Sequence, residues 1–267
     1  MKVTASGIWS DIVTIRESAP LVHNITNYVV MNSTANVLLA LGAAPIMAHA
    51  EEEMDDIVDI ASALVINIGT LSNHWVRSMM KAAARAANRG IPVVLDPVGA
   101  GATRYRTETA QEMVRSMKPA VIRGNASEIM AAGRVEVRTK GVESQAASVD
   151  ALEAARRLSA ETGVVVCVSG AVDYVVSGSG VLKVRNGHPL MTRVTGMGCA
   201  ASALCGAFAA VNRDYHLAAA HAMTVMGIAG EIAAARSAGT GSMQVNFIDA
   251  LFCLVEEDIT RLMKVEE

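Results

Sequence analysis

The segment best suited to hold an anion is Val194-Thr195-Gly196-Met197-Gly198-Cys199, which opens an alanine-rich stretch. Two glycines allow backbone to approach a ligand closely. The first turn of the helix that follows leaves N–H groups unpaired, and the helix dipole adds positive potential. The glycines would equally serve a plain strand-to-helix turn. No GK[ST] follows, so this is not the P-loop pattern. Cys199 falls at the helix N-terminus, where the dipole favours thiolate relative to a free pKa of about 8.5. The alternative is a buried, inert thiol.

Two further clusters carry charge where an apolar run ends. Asp96 closes one such run just before Pro97. A carboxylate there is costly unless it faces a cleft or binds something, although a cap or surface turn also accounts for it. Arg123-Gly124-Asn125-Ala126-Ser127-Glu128 puts a cation after a second run, with Asn and Glu three residues apart. Asn125 and Glu128 fit a capping box. Glu128 also suits Mg²⁺ held through water, with Arg123 on a nucleotide phosphate. His23-Asn24-Ile25-Thr26-Asn27 is polar directly after a strand, as turns and caps require. Met47 taken alone reads as a core residue.

The elements that must position these residues follow from periodicity. Strand-like runs at 21–25, 45–47, 63–68, 92–96, 120–122 and 164–168 alternate with helical stretches at 28–41, 51–60, 73–89, 108–117, 126–132 and 151–160. Gly42 and Gly90 close two of these helices, and Asn73 is suited to start one. This alternation means βαβ units and a mostly parallel sheet covered on both faces. Residues 174–176 and 181–184 form an antiparallel hairpin at its edge. Helices are expected at 199–211, 216–237 and 247–264. In such sheets ligands sit beyond the carboxyl ends of the strands, which selects Asn24, Met47, Gly69, Asp96, Arg123, Ser169 and the Gly196 loop.

The bulk numbers narrow the classes. The 267 residues show no Pro/Ser-rich linker or charge block, so one domain over 1–267 is expected. Hydrophobic residues make up 52% and charged residues 18%, too apolar for disorder. Lys plus Arg is 23 against 26 Asp plus Glu, with no basic cluster, which argues against nucleic acid and anionic membrane as partners. The longest apolar stretch, 199–211, is too short to span a bilayer, and the N-terminus has no apolar run of signal length. A cytoplasmic protein is expected. The four cysteines have no CxxC spacing, so a zinc site is not expected.

In combination, the segments at 20–27, 35–42, 45–47, 67–71, 95–100, 122–129 and 194–199 resemble the hydroxyethylthiazole kinases, over roughly Trp9 to Leu251. The resemblance implies a ribokinase-like three-layer α/β/α fold with a helical C-terminal third. It also implies a homotrimer with active sites at subunit interfaces. The implied activity is ATP-dependent phosphorylation of the primary alcohol of 4-methyl-5-(2-hydroxyethyl)thiazole for thiamin biosynthesis. By the same resemblance, Met47, Gly196 and Asn27 contact the thiazole, Arg123, Ser169 and Gly198 contact ATP, and Asp96 and Glu128 serve Mg²⁺ and phosphate. Cys199 lies by the reacting hydroxyl. The chain departs from the family at Met197, where Thr is usual, and at Asn24, where Cys or another small residue is common. Rival readings are a kinase of another small alcohol such as hydroxymethylpyrimidine, and a nucleotide-binding regulator without catalysis. A Rossmann oxidoreductase is disfavoured because no GxGxxG follows the first strand.

Overall fold

A computed structural model of the chain describes residues 2–133 and 144–267. Its first part alternates strand and helix: α1 (Ala5–Ser18), β1 (Leu21–Ile25), α2 (Met31–Leu41), β2 (Ala44–Ile46), α3 (Met54–Ile60), β3 (Ala63–Asn67), α4 (Asn73–Arg89), β4 (Val93–Asp96), α5 (Arg104–Met117), β5 (Val121–Asn125), α6 (Ala126–Ala132), α7 (Ser144–Thr162) and β6 (Val165–Ser169). The hairpin β7 (Asp173–Ser177) and β8 (Gly180–Val184) follows. The rest is almost all helix: α8 (Met197–Val211), α9 (Tyr215–Ala235), α10 (Thr240–Phe252) and α11 (Glu256–Leu262), with a last short strand β9 (Val265–Glu266).

The strands form one sheet in the order β2-β1-β3-β4-β5-β6-β7-β8-β9. Strands β2 through β6 pair in parallel, and β7 to β9 pair antiparallel. The hairpin is therefore not the outermost element, because β9 pairs with β8 beyond it. Side chains alternate across each strand. Val22, Val65, Val94, Val121 and Val165 pack against α1, α2 and α8 to α10. Ile25, Ile66, Leu95, Ile122 and Val166 pack against α3 to α7. The result is the expected three-layer α/β/α architecture.

Several boundaries differ from expectation for local reasons. Helix α2 starts at Met31, not Tyr28, because residues 28–30 form a turn closed by Val30 N–H on Asn27 O at 3.2 Å. Ser72, not Asn73, caps α4, its hydroxyl accepting from Trp75 N. Thr103 does the same for Arg106 N, so α5 begins at Arg104 rather than Glu108. The stretch expected to be one helix at 247–264 is two. Extended Val255 breaks it, and Glu256, Glu257 and Asp258 in the first turn of α11 complement that helix's dipole. Helix α8 starts at Met197, which puts Gly198 and Cys199 inside its first turn. The 199–211 stretch is also not the longest apolar one. Helix α9, at 21 residues, is long and apolar enough to cross a membrane by length and composition, but most of it lies in this protein's core.

Candidate active site

At the carboxyl end of the sheet, the face toward α8 changes from apolar to polar. Asn67 on β3 and Asp96 on β4 are paired, Arg123 stands on β5, and Ser169 ends β6 opposite Asn125, two residues beyond Arg123's own partner. The N-terminus of α8 rests on this row. Gly196 occupies the N-cap with φ 88°, a left-handed conformation that favours glycine, and offers no side-chain cap to the N–H groups of the first turn. Gly198 is required by proximity, because a Cβ there would stand 2.8 Å from Arg123 Nη1. Unpaired helix N–H groups and a guanidinium thus meet at one point, as an anion site requires.

A continuous network lies on one side of this point. Asn67 Nδ2 donates to Asp96 Oδ2 at 2.8 Å and to Cys199 Sγ at 3.2 Å. Asn27 Nδ2 donates to Asn67 Oδ1 at 2.9 Å and to Cys199 Sγ at 3.4 Å. Ser202 Oγ, one turn along α8 from Gly198, donates to Asp96 Oδ2 at 2.8 Å. Gly196 faces α2, with Val30 and Ser33 its nearest neighbours. Met47 follows β2, half-buried, and the next residue is fixed by the hydrogen bond of His23 Nε2 to Ala48 O at 2.9 Å. Asn27 and Cys199 are therefore joined directly. Met47 and Gly196 flank the same end of the sheet with no hydrogen bond to that pair.

The other side of the α8 N-terminus opens onto a cavity of about 570 Å³. Arg123, Ser169 and Gly198, the three residues expected at ATP, all line it. Arg123 Nη2 donates to Ser169 Oγ at 2.7 Å, and that hydroxyl donates in turn to Gly124 O at 3.3 Å. Asp173, buried in the cavity wall, accepts from Gly170 N at 2.9 Å.

Electrostatics set the protonation states. Asp96 is only 1% exposed, and burial pushes its carboxyl up to about 7, with Arg123 opposing and Glu128 adding to the rise. Burial opposes the charge of Arg123, but Asp96 foremost, with Asp173, keeps its pKa above the ordinary value. Asp173 is pushed up to about 6, again by burial. Cys199 does not carry the depressed pKa expected from the helix dipole. Burial and then the nearby Asp96 raise it, so at neutral pH it is a thiol.

Asp96 Oδ1 and Arg123 Nε are buried with no partner among the described residues. Such groups cost about 1–3 kcal/mol each unless something binds them. Asp96 Oδ1 is an oxygen ligand suited to a hard cation, and Arg123 suits phosphate. Glu128 is more committed. Its Oε2 accepts from Asn125 N at 2.9 Å, completing a capping box with Asn125 Oδ1, and its Oε1 accepts from Gly99 N at 2.9 Å. The capping alternative is thus realised. Each oxygen keeps a lone pair for water or a cation.

The sequence reasoning passed over three residues. Asn67 is the hub of the network, yet the strand-end rule selected Gly69 two residues later. A polar residue closing the apolar run Ala63–Ile66 was the available signal, the one that had singled out Asp96. Ser202 was hidden in an alanine-rich helix, and its spacing of three from Cys199 was the only clue. Asp173 sat in a hairpin read as a sheet edge.

Comparison with known proteins agrees with this geometry. Residues 12–257 match the model of the hydroxyethylthiazole kinase family. A hydroxyethylthiazole kinase of Syntrophus aciditrophicus is 59% identical over 99% of this chain and 98% of its own length. The structure of a hydroxyethylthiazole kinase protein from Pyrococcus horikoshii superposes with a TM-score of 0.90 at 44% identity, covering 98% of each chain. A ribokinase-like superfamily protein from Enterococcus faecalis, at 12% identity and a TM-score of 0.67, shares the fold. This chain belongs to the hydroxyethylthiazole kinase family.

Proposed function

We infer that the chain, as one domain over residues 1–267, transfers the γ-phosphoryl group of ATP to the primary hydroxyl of 4-methyl-5-(2-hydroxyethyl)thiazole in thiamin biosynthesis. The observation that carries this reading is the position of the α8 N-terminus. It stands between a polar network centred on Cys199 and a cavity headed by Arg123. The alcohol belongs on the Cys199 side, with Asn27, Met47 and Gly196, and the triphosphate belongs on the Arg123 side.

The alcohol oxygen forms a bond to the γ-phosphorus while the bond to the β–γ bridging oxygen breaks, ADP leaves, and the hydroxyl proton passes late to a phosphate oxygen and on to water. Arg123 and the first-turn N–H groups of α8 neutralise charge on the moving group. Cys199 is a thiol held by two asparagine amides, so it orients the hydroxyl rather than removing its proton. A loose transition state needs little deprotonation early, and the site needs no strong base. Mg²⁺ supplies charge neutralisation across the phosphate oxygens when bound. Asp96 and Glu128 are the carboxylates that would hold it.

The same reading includes a cytoplasmic homotrimer with sites at subunit interfaces. Its support is apolar surface beside the acceptor strand: Tyr28 and Val29 are 61% and 72% exposed immediately after Asn27. Purified protein with Mg²⁺, ATP and hydroxyethylthiazole is expected to yield thiazole monophosphate by mass spectrometry, and to sediment as three copies of the 27.9 kDa chain. Product from hydroxymethylpyrimidine and none from the thiazole would sink the substrate assignment. A fully active monomer would remove the trimer.

A further inference from the structure

The cavity beside α8 has two unlike ends, and their difference bears on the phosphoryl donor. This inference rests on the kinase reading above. Positive charge gathers at one end, with Arg123 and the unpaired N–H groups of α8. That is where a triphosphate is held. The base must then lie at the other end, among Pro189, Met191, Met223 and Met226.

The wall at that end has little left with which to read a base. It is formed by residues 186–189, 191 and 192, and among the described residues most of their polar groups are engaged within the protein. Asn186 Nδ2 donates to Glu231 Oε1 at 3.0 Å and Leu262 O at 2.8 Å, and its Oδ1 accepts from Lys264 N at 2.8 Å. Gly187 N donates to Glu231 Oε1 at 3.0 Å. Leu190 N donates to His188 Nδ1 at 3.1 Å, and Met191 N to His188 O at 3.0 Å. Pro189 has no N–H, and its carbonyl accepts from Thr192 Oγ1 at 2.8 Å. The segment is also pinned and cannot turn these groups inward. Gly227 of α9 lies so close that a Cβ there would meet Asn186 Cβ at 2.5 Å.

Packed directly against this wall is α9, which adds the thioethers of Met223 and Met226 to the lining. Methionine is unbranched and adapts to rings of different outline. Among the described residues, what remains polar toward this end is a few backbone groups, the Thr192 hydroxyl and exposed His188. Adenine, guanine, cytosine and uracil each carry an amino or imino N–H that a carbonyl can accept. None of the four is singled out.

We propose that this site reads the triphosphate and not the base, so that GTP, CTP and UTP serve as phosphoryl donors beside ATP. In an apolar pocket a small change of outline, such as one methylene, is worth roughly 10–200-fold, whereas a site built to hydrogen-bond its substrate rejects one lacking the group by about 10⁴–10⁵. The two cases are far enough apart to separate.

The test uses the unaltered protein with Mg²⁺ and hydroxyethylthiazole, and each of the four purified nucleoside triphosphates in turn. Thiazole monophosphate is quantified against the matching nucleoside diphosphate, so that trace ATP is not mistaken for turnover. The expected result is kcat/KM for GTP, CTP and UTP within about 200-fold of ATP. If ATP turns over and any of the other three falls beyond that limit, the proposal is overturned while the kinase reading stands. If no triphosphate yields product, both fall.

Discussion

On the acceptor side of the α8 N-terminus, Asn27, Asn67, Cys199, Asp96 and Ser202 hold one another through a chain of hydrogen bonds. On the donor side, the cavity is lined by methionines and by a segment whose polar groups are mostly engaged within the protein. The same helix end serves both. A buried network rejects what cannot satisfy it, because each unmatched group left behind is costly. A thioether pocket rejects only by shape. Selectivity in this enzyme therefore belongs to the alcohol, and the donor side is selective for phosphate alone.

The sharpest way to break that contrast is at Asp96, which is hydrogen-bonded into the acceptor network and is coupled by charge to Arg123 on the donor side. Asp96→Asn removes an anionic oxygen beside the phosphoryl path, and kcat is expected to fall about thousandfold, the scale of one lost transition-state contact. The substitution also has a signature in stability. Burial raises the folded pKa to about 7. From about pH 4, where an unfolded aspartate ionises, up through about 7, the folded protein therefore holds a proton the unfolded chain has lost. Ligand-free stability thus declines as pH rises across that window. Asp96→Asn is expected to flatten the decline and to melt higher than the parent at pH 8, leaving the smaller contribution of Asp173. Unchanged melting curves between pH 5 and 8, together with full activity, would show that Asp96 is a spectator.

Cys199 gives a smaller effect. If the thiol only orients the hydroxyl, Cys199→Ala costs about 10–100-fold in kcat, while Cys199→Asp, which can still hold the hydroxyl, stays within about tenfold of the parent. Single-turnover rates report this directly. A folded but inactive Cys199→Asp would give the sulfur a role that orientation does not cover.

The smallest effect is expected at Met197, where the family usually has Thr. The residue begins α8, packs partly against the core and lines the cavity, and under the proposed reading it would meet the anion through its backbone N–H. Met197→Thr should change kcat/KM by less than about threefold, since that N–H survives the substitution. A larger gain in affinity for ATP would mean that a hydroxyl is missed here.

Much of this was legible from sequence, and what was not has a common cause. Strand ends and helix caps are local: Asp96, Arg123 and the Asn125–Glu128 box each announce themselves within a few residues. The Gly196–Cys199 turn does the same, and the structure puts all of them at one end of the sheet. Asn67 escaped because its importance lies in partners 40, 29 and 132 residues away. Ser202 escaped because only its distant contact with Asp96 separates it from the alanines around it. For the same reason the sequence left Cys199 between a thiolate favoured by the dipole and a buried thiol. The dipole of its own helix is local, but the desolvation and the neighbouring carboxylate that outweigh it come from the rest of the chain. The break at Val255 was missed because an extended residue between two helical periods leaves the apolar pattern almost intact.

The anchoring of the donor wall carries a consequence for the order in which the molecule comes into being. Asn186 is held by Leu262 and Lys264, Arg185 N donates to Lys264 O, and Lys264 Nζ reaches Glu231. The acceptor network, by contrast, is complete once residue 202 is in place. On the ribosome this chain's own members of the Cys199 network are therefore synthesised roughly sixty residues before the last anchors of that wall, at about 5–20 residues per second. A growing chain passes through an interval in which one side of the α8 N-terminus has its hydrogen-bonding residues and the other still lacks the strand that anchors it.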